Sequence, residues 1–243
     1  MIGLRLEQIS EPDCVVIRAE GLLSLGTVAS LRRSLLKALR DTGRVVVDVS
    51  RVELVRPYYV LVFPAVQAAA GGWPHVRLAI VGARLAFRAA LAASRVDGYV
   101  PLVAGLQEAR RKLDTRPLRV RQASRFDDTP AAPARSRYFI EDICTDWGLP
   151  ASLREDAVLV GNELVSNAVE HAGSAPEVTL KLGPEGLCIS VRDSSACQPV
   201  LRDSDRTQPR GRGIWLVQAL AAEWGVREHS GGKTVWARLR TPS

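Results

Sequence analysis

The first half of the chain alternates short apolar runs with longer segments of helical period. Four runs have the length and β-branched content of strands: LRLEQI, VVIRAE, RVVVDVS and VRLAIVG. Apolar residues recur every three to four positions in the intervening segments, which predicts helices: SLGTVASLRRSLLKALRDTG, PYYVLVFPAVQAAAGG, ARLAFRAALAASRVDG and GLQEARRKL. Ser24 or Thr27 could cap the first helix, Gly43 ends it, and Pro64 interrupts the second. This alternation predicts a small sheet covered by helices.

The second half follows a seam, RPLRVRQASRFDDTPAAPARS, and has a different order of elements. The seam begins with a predicted strand, and Thr129 with Pro130 could start the helix after it. Two helices come first, followed by a hairpin, a polar run, a further helix and two closing strands around Gly231 and Gly232. The change in the order of predicted helices and strands indicates two domains, residues 1–115 and 116–243.

The composition is that of a globular protein, with 47% hydrophobic and 24% charged residues in a chain of 243. No apolar run approaches the roughly 20 residues that span a bilayer, and the start does not resemble a signal peptide, so the cytoplasm is expected. The net charge of +7 lies in residues 1–116, which hold 17 Lys/Arg and 10 Asp/Glu, since the remainder holds 16 of each. These basic residues are dispersed among few aromatic ones. They indicate a solvated surface rather than a surface that binds an acidic protein. Direct binding of nucleic acid is not expected.

The four cysteines form no C-x-x-C pair, and with three histidines they give no metal-ligand spacing. Cys14 and Cys188 lie in strand-like runs, which predicts buried small hydrophobes. A disulfide framework is therefore not expected.

A polar row on one predicted helix raises the first functional question. Glu163, Asn167 and His171 recur every four residues in ELVSNAVEHAG, so their side chains share one face. Such a row is either solvated surface or the floor of a site. His171 stands at the helix end, where an imidazolium would favour the helix dipole, and that structural role is the preferred one.

Three further motifs in the second half could form a functional site together with this row. They are Asp193 at a strand end, Gly211-Arg212-Gly213 at the start of a helix, and Gly232-Lys233-Thr234 at the start of the last strand. Each alone is a weak signal. Together, in this order, they resemble the ATP-binding domain shared by gyrase, Hsp90, histidine kinases and mismatch-repair ATPases, and most of all its anti-sigma-factor serine kinases. The resemblance covers about residues 118–240. It implies a Bergerat-type ATP-binding α/β sandwich.

The resemblance also implies roles for these residues, with ATP and Mg²⁺ as cofactors. The Asn matching Asn167 helps hold Mg²⁺ on the triphosphate, and an amide oxygen suits that hard cation. The Glu matching Glu163 is the candidate general base. The Asp matching Asp193 accepts a hydrogen bond from the adenine amino group, and Thr234 matches a Thr that supports the same end of the pocket.

The phosphate end is assigned in the same way. Gly211 and Gly213 would let the backbone approach the phosphates at a helix N-terminus, and Arg212 could add charge there. Lys233 would either reach a phosphate or lie at the surface. The polar run from Ser194 to Arg210 would be a lid over the nucleotide or a plain surface loop.

One stretch departs from the family pattern. The family reads D-x-G-x-G after the adenine-binding Asp, whereas this chain reads Asp193-Ser194-Ser195-Ala196-Cys197. Glycine lets a backbone lie against the base and adopt strained angles. The loss at Cys197 is therefore expected to weaken ATP binding or to stiffen the hinge of the lid.

The first half resembles a STAS domain, the fold of anti-sigma-factor antagonists, over about residues 4–114. The resemblance rests on VVIRAEGLLSLGTVASLRRSLLKAL, RVVVDVSRVELV and VRLAIVGARLAFRAALAASRVDGYVPLV. That family runs into D-S-S-G after its D-x-S element, and its partner kinase phosphorylates the second Ser. This chain has Arg56-Pro57-Tyr58-Tyr59 there, so Pro57 and Tyr58 mark a degenerate phosphosite without a serine hydroxyl.

The two resemblances together predict an α/β and α+β architecture and an ATP-binding, anti-sigma-factor-like regulator with serine/threonine protein kinase activity on a separate STAS partner. The alternative is a non-catalytic, ATP-dependent switch or adaptor that sequesters a sigma factor or another regulator. A sensor-kinase fragment is a third interpretation, which the lack of a phosphoacceptor-histidine helix disfavours. The expected partners are a sigma factor, a STAS-domain antagonist, or the chain itself through self-association or docking of its STAS half on its kinase half.

Overall fold

The structure, a computed structural model, describes residues 3–172, 175–194 and 212–241. It divides the chain into two compact units, Met1–Val120 and Arg121–Ser243. This division falls five residues after the predicted domain boundary, after the first residue of the strand Val120–Arg125, which belongs to the second sheet.

The first unit holds a five-stranded sheet and four α-helices in the order β1 Leu4–Ser10, β2 Val15–Leu23, α1 Leu25–Thr42, β3 Arg44–Leu54, α2 Val62–Ala69, β4 Arg77–Val81, α3 Leu85–Ala93, β5 Leu102–Val103 and α4 Leu106–Leu113. The strands lie side by side in chain order. β1 is antiparallel to β2, and β2 to β5 are parallel. The carboxyl ends of the parallel strands therefore meet at one edge of the sheet.

Alternation along the buried strands sends side chains to both faces of this sheet. Val45 and Val47 pack into the core that α1, α2 and α3 cover. Val46, between them, packs with Ala109 and Leu113 of α4 on the other face. Near-continuous apolar strands such as RVVVDVS follow directly from burial on both faces.

The caps of α1 agree with the sequence prediction. Ser24 is the N-cap residue, and its backbone N–H donates to Thr27 Oγ1 at 2.9 Å. Gly43 ends the helix at φ 71°. Pro64 does not break α2, because it lies in the first turn, where a backbone N–H has no helical partner.

An ionic clamp closes the opposite edge of the first sheet. Arg44, at the start of β3, donates to both carboxylate oxygens of Asp114 at 2.5 and 3.2 Å. Arg77, at the start of β4, donates to Oδ1 at 2.6 Å. The hydrogen bond from Arg44, reinforced by the charge of Arg77, lowers the pKa of Asp114. The clamp ties the end of α4 to two central strands.

Replacing Asp114 with asparagine is expected to lower the free energy of unfolding by about 1 kcal/mol at pH 7, since the carboxylate is largely solvated. A lowered pKa contributes stability above the unfolded-state pKa of about 4, and this is lost as the pH falls through the lower folded-state value. The mutational loss should therefore shrink below pH 4. Urea unfolding at pH 7 and pH 3 measures it, with exposed Asp41→Asn as control. An equal loss at both values would contradict the clamp.

In the second unit, residues 121–172, 175–194 and 212–241 are described, and with Val120 they form a five-stranded sheet and three helices in the order β6 Val120–Arg125, α5 Ala132–Asp146, α6 Ala151–Ala172, β7 Glu177–Gly183, β8 Gly186–Asp193, α7 Arg212–Leu220, β9 Glu223–His229 and β10 Gly232–Leu239. The strand order is β6-β7-β8-β10-β9, with antiparallel pairing from β7 through β9. α6 packs against α5, α7, β8 and β10. No helix in the described part of either unit combines the length and apolarity that crossing a bilayer requires.

The start of α5 differs from the prediction. The helix begins at Ala132, after a turn in which the Ala132 N–H donates to the Thr129 carbonyl oxygen. Thr129 is therefore not its N-cap, and Pro133 rather than Pro130 occupies the first turn. The two prolines are both compatible with a helix start, so local sequence alone did not separate them.

Three cysteines lie in the described residues, and all are free thiols. Burial raises the pKa of Cys144 to about 12. Cys14 is buried as predicted. Cys188 is only half-buried, because its side chain and that of the buried Ile189 lie on opposite faces of the second sheet. Cys197 lies outside the described residues.

Candidate functional site

Helix α6 carries the polar row of the sequence prediction beside its buried stripe. The stripe is formed by apolar residues three and four apart: Leu153, Ala157, Val160, Leu164 and Ala168. Glu163 and Asn167 each precede a member of the stripe by one position and are half-buried. They stand at the margin of the packed face, where a side chain can meet both protein and solvent. The side chain of His171 lies outside the described residues.

The position of α6 is fixed by a close approach at Gly161. A Cβ there would lie 2.1 Å from Ile140 Cδ1 of α5 and 3.9 Å from Ile189 Cγ2 of β8. Any side chain at Gly161 would require Ile140 to shift. The glycine therefore allows α6, the helix that carries Glu163 and Asn167, to pack closely against α5.

Asp193 ends β8 on the helix-covered face, since it alternates with Val191 and Ile189. Its cross-strand partner in β10 is Lys233. Lys233 Nζ lies 3.4 Å from Asp193 Oδ1, and the two side chains are only 7% and 1% exposed. Lys233 is therefore not at the surface, and its ammonium is directed at the carboxylate predicted to read adenine.

Thr234 occupies the other face of the sheet. It pairs across the strands with Arg192, and its Oγ1 lies 3.3 Å from His229 Nε2. The expectation that Thr234 supports the same end of the pocket as Asp193 does not fit this placement, because neighbouring residues of a strand point to opposite faces.

The sequence contained a signal for this arrangement. Val235, Ala237 and Leu239 alternate along β10, and the core face they define includes Lys233. A charged residue in register with buried apolar ones calls for a buried partner. The pairing of β10 with β8 supplies Asp193.

The approach of the two strands depends on Gly232. Its φ of 128° suits glycine, and a Cβ there would lie 2.0 Å from the carbonyl oxygen of Asp193 and 2.6 Å from Ser194 Cα. The backbones of β8 and β10 are thus in contact immediately beside the ion pair, which sets the position of Lys233.

The predicted phosphate end is only partly described. Helix α7 begins at Arg212, so Gly213 lies in its first turn. Gly211 and residues 195–210, which belong to the predicted lid or surface loop, lie outside the described residues, as does the side chain of Arg212.

The donor set suits a magnesium ion held mainly by phosphate. Across residues 3–172, 175–194 and 212–241, three or more His, Cys, Asp or Glu side chains nowhere gather as metal ligands. Asn167 offers one neutral amide oxygen at the margin of α6, and Mg²⁺ takes its remaining ligands from phosphate and water. An amide oxygen at Asn167 therefore fits a Mg²⁺ ion that is carried by a nucleotide.

The segment predicted to be a degenerate phosphosite lies at the carboxyl edge of the first sheet. Pro57 begins a 3₁₀ turn, Pro57–Leu61, directly after β3, and Arg56 precedes it. Tyr58 is exposed, with its ring centroid 4.7 Å from that of Tyr59. A hydrogen bond with Tyr58 raises the pKa of Tyr59. The turn presents phenols at the position where the STAS resemblance implies a phosphoacceptor serine.

Apolar side chains surround this turn. The residues that follow the ends of β2, β3 and β4 include five large exposed hydrophobic ones, here called the apolar edge: Leu25, Val55, Tyr58, Leu61 and Leu85. The 3₁₀ turn packs against α3, so the members from different strands belong to neighbouring elements. Exposed apolar residues grouped at one edge are typical of a protein-binding surface.

The comparisons with known proteins agree with this organisation. Residues 7–107 match the family described as Mlab, STAS domain, and residues 126–239 match the family described as histidine kinase-like ATPase domain. No curated protein matches the chain.

Two solved structures illustrate the likeness. An anti-sigma factor antagonist from Mycobacterium paratuberculosis is 19% identical, with 45% of this chain and 93% of that chain covered and a TM-score of 0.41. The RsbU and RsbW domains of a Mycobacterium tuberculosis protein are 24% identical, with 50% of this chain and 32% of that chain covered and a TM-score of 0.40. The family matches identify the two units: the chain carries a STAS domain followed by a histidine kinase-like ATPase domain.

Proposed function

We propose that this protein is an ATP-binding regulator of the partner-switching type, in which the second unit binds nucleotide and the first unit binds protein. A histidine kinase-like ATPase domain implies ATP binding, and a STAS domain suggests exchange of protein partners. The observation that carries the proposal is that Glu163 and Asn167 lie at the margin of the packed face of α6, the helix that packs against the strand ending in buried Asp193.

The proposed chemistry is phosphoryl transfer to a serine or threonine of a separate STAS protein. Glu163 would take the proton of the attacking hydroxyl, whose oxygen bonds to the γ-phosphorus as the bond to the bridging oxygen of ADP breaks. Asn167 would hold Mg²⁺ through its amide oxygen. When bound, that ion would neutralise charge on the phosphates. Asp193 would face the base.

The second candidate is a non-catalytic switch or adaptor that sequesters a sigma factor or another regulator. The apolar edge favours it, because this edge offers contact area at the position where the family carries its phosphosite. Replacing Leu85 with aspartate, at a site that is 85% exposed, should weaken capture of such a partner without unfolding the unit. Exposed Arg5→Asp is the surface control.

Replacing Asn167 with alanine is expected to weaken Mg·ATP binding at least about tenfold, since changes around a metal site commonly cost 10- to 100-fold. Calorimetric titration with ATP, in magnesium and then in EDTA, measures the effect. The loss should be confined to the magnesium titration, because the amide is assigned to the ion and not to the base.

The matched control is Asn162→Ala on the same helix, where the Asn162 side chain accepts from Arg137 Nη1 at 3.5 Å. It should bind Mg·ATP as the wild type does. Equal losses in Asn167→Ala and Asn162→Ala would refute the assignment of the ligand. Wild-type protein that binds no ATP up to millimolar concentration would refute the proposed function itself.

Incubation with labelled Mg·ATP and STAS proteins of the same genome separates the two candidates. Label on a partner serine or threonine supports the kinase. ATP binding without transfer, together with nucleotide-dependent capture of a partner that Leu85→Asp abolishes, supports the switch.

A further inference from the structure

Lys233 forms an ion pair with Asp193, whose carboxylate is the group proposed to recognise the base. The ammonium nitrogen lies 3.4 Å from Asp193 Oδ1, and both side chains are more than nine-tenths buried. The pair sits at the end of β8 on the face that α6 covers. A base that is to be read by Asp193 therefore meets a carboxylate already neutralised by a neighbouring cation.

The lysine is held in this position by the fold. It stands in register with Asp193, and the backbone contact at Gly232 brings the two strands together immediately before it. Its stem shares the core face with Val235 and Ala237. Withdrawing the ammonium would require the buried stem to leave that face.

The energies of the competing contacts are unequal. The amino group of a purine base is a neutral donor, whereas an ammonium makes a charge-assisted contact that is roughly twice as strong. Separating a buried pair also leaves an uncompensated charge, which is strongly unfavourable. A neutral base amino group thus competes at a disadvantage for Asp193.

We infer that Lys233 sets the nucleotide affinity of this site, by holding Asp193 in an ion pair that competes with the base amino group. The inference rests on the proposed function, because it presupposes that Asp193 faces a purine. It assigns to Lys233 a role other than the phosphate contact or the surface position expected from the sequence. The wild-type protein then binds ATP weakly, and the contact between the base and Asp193 limits the affinity.

The test is equilibrium binding of ATP to Lys233→Thr. Threonine is neutral, suits a β-strand and can donate one hydroxyl hydrogen bond to Asp193, so the buried carboxylate keeps a partner while an acceptor oxygen becomes available. ATP affinity is expected to rise at least about tenfold, equivalent to 1.4 kcal/mol. Lys233→Arg keeps the charge and should show no gain.

Two further variants make the test specific. Lys181→Thr removes an exposed lysine of the same sheet and should leave the affinity at the wild-type value. The double variant Lys233→Thr/Asp193→Asn should lose most of the gain, because asparagine has one acceptor oxygen in place of two. Equal gains in Lys181→Thr and Lys233→Thr would overturn the inference in favour of a general charge effect.

Failure of the inference and failure of the proposed function give different results. If wild type and Lys233→Thr bind ATP with the same affinity, Lys233 does not set the affinity, although the nucleotide site stands. If neither binds ATP, both are overturned. A double-variant cycle of Lys233→Thr and Asp193→Asn in urea unfolding without nucleotide tests the pair itself, and additive losses would show that no coupling exists.

Discussion

Replacing Glu163 with glutamine is expected to slow phosphoryl transfer to a STAS partner by roughly 100- to 10,000-fold, the usual contribution of a general base. Glutamine keeps the size and the polarity of the side chain but accepts no proton at neutral pH. The half-buried setting at the margin of α6 accommodates either residue. Single-turnover transfer of labelled phosphate, at saturating ATP, measures the step separately from nucleotide binding.

Glu170 provides the matched control, since it lies two turns further along α6 and is exposed. Glu170→Gln should transfer phosphate at the wild-type rate. Calorimetry should find that both variants bind ATP with nearly unchanged affinity. If Glu163→Gln retains more than a tenth of the wild-type rate, another group takes the proton or the transfer needs no base.

Replacing Gly232 with alanine is expected to lower the free energy of unfolding of the second unit by about 3 kcal/mol, the combined cost of backbone strain and overpacking. The added Cβ meets backbone atoms of Asp193 and Ser194, which cannot rotate away as a side chain could. Four of the five tryptophans lie in the second unit, so fluorescence during urea unfolding reports mainly on it.

Gly231 is the neighbouring control. A Cβ at Gly231 would find Arg192 Nη2 at 3.9 Å as its nearest neighbour, which is ordinary contact. Gly231→Ala should therefore change the unfolding free energy by less than about 0.5 kcal/mol. A similar loss at both positions would mean that the turn tolerates no side chain at either glycine, and that the contact with Asp193 is not the specific cause.

Much of the fold could be predicted because its signals are local. The caps of α1 at Ser24 and Gly43 lie in one continuous stretch, and the apolar strands of the first sheet lack the alternation of a half-exposed sheet. The stripe of α6 likewise identified the face of Glu163 and Asn167 from spacing alone. Propensity and periodicity act within one element, so the sequence exposes them directly.

The features that were missed depend on contacts between distant elements. Asp114 meets Arg44 across 70 positions of the chain, and no local pattern indicates that pairing. The register between β8 and β10 decides whether Lys233 or Thr234 faces Asp193. A shift of one residue exchanges the two faces, so the order of motifs along the sequence did not separate Lys233 from Thr234.

The sequence at the apolar edge bears on how partner binding by the first unit is regulated. A STAS surface that carries a serine can be modified by a kinase, whereas Arg56-Pro57-Tyr58-Tyr59 gives a serine kinase no acceptor there. Occupancy of such an edge would follow mass action, set by the concentrations of the protein and its partner and by their dissociation constant. Synthesis and degradation of the two proteins, rather than covalent marking, would then govern the first unit.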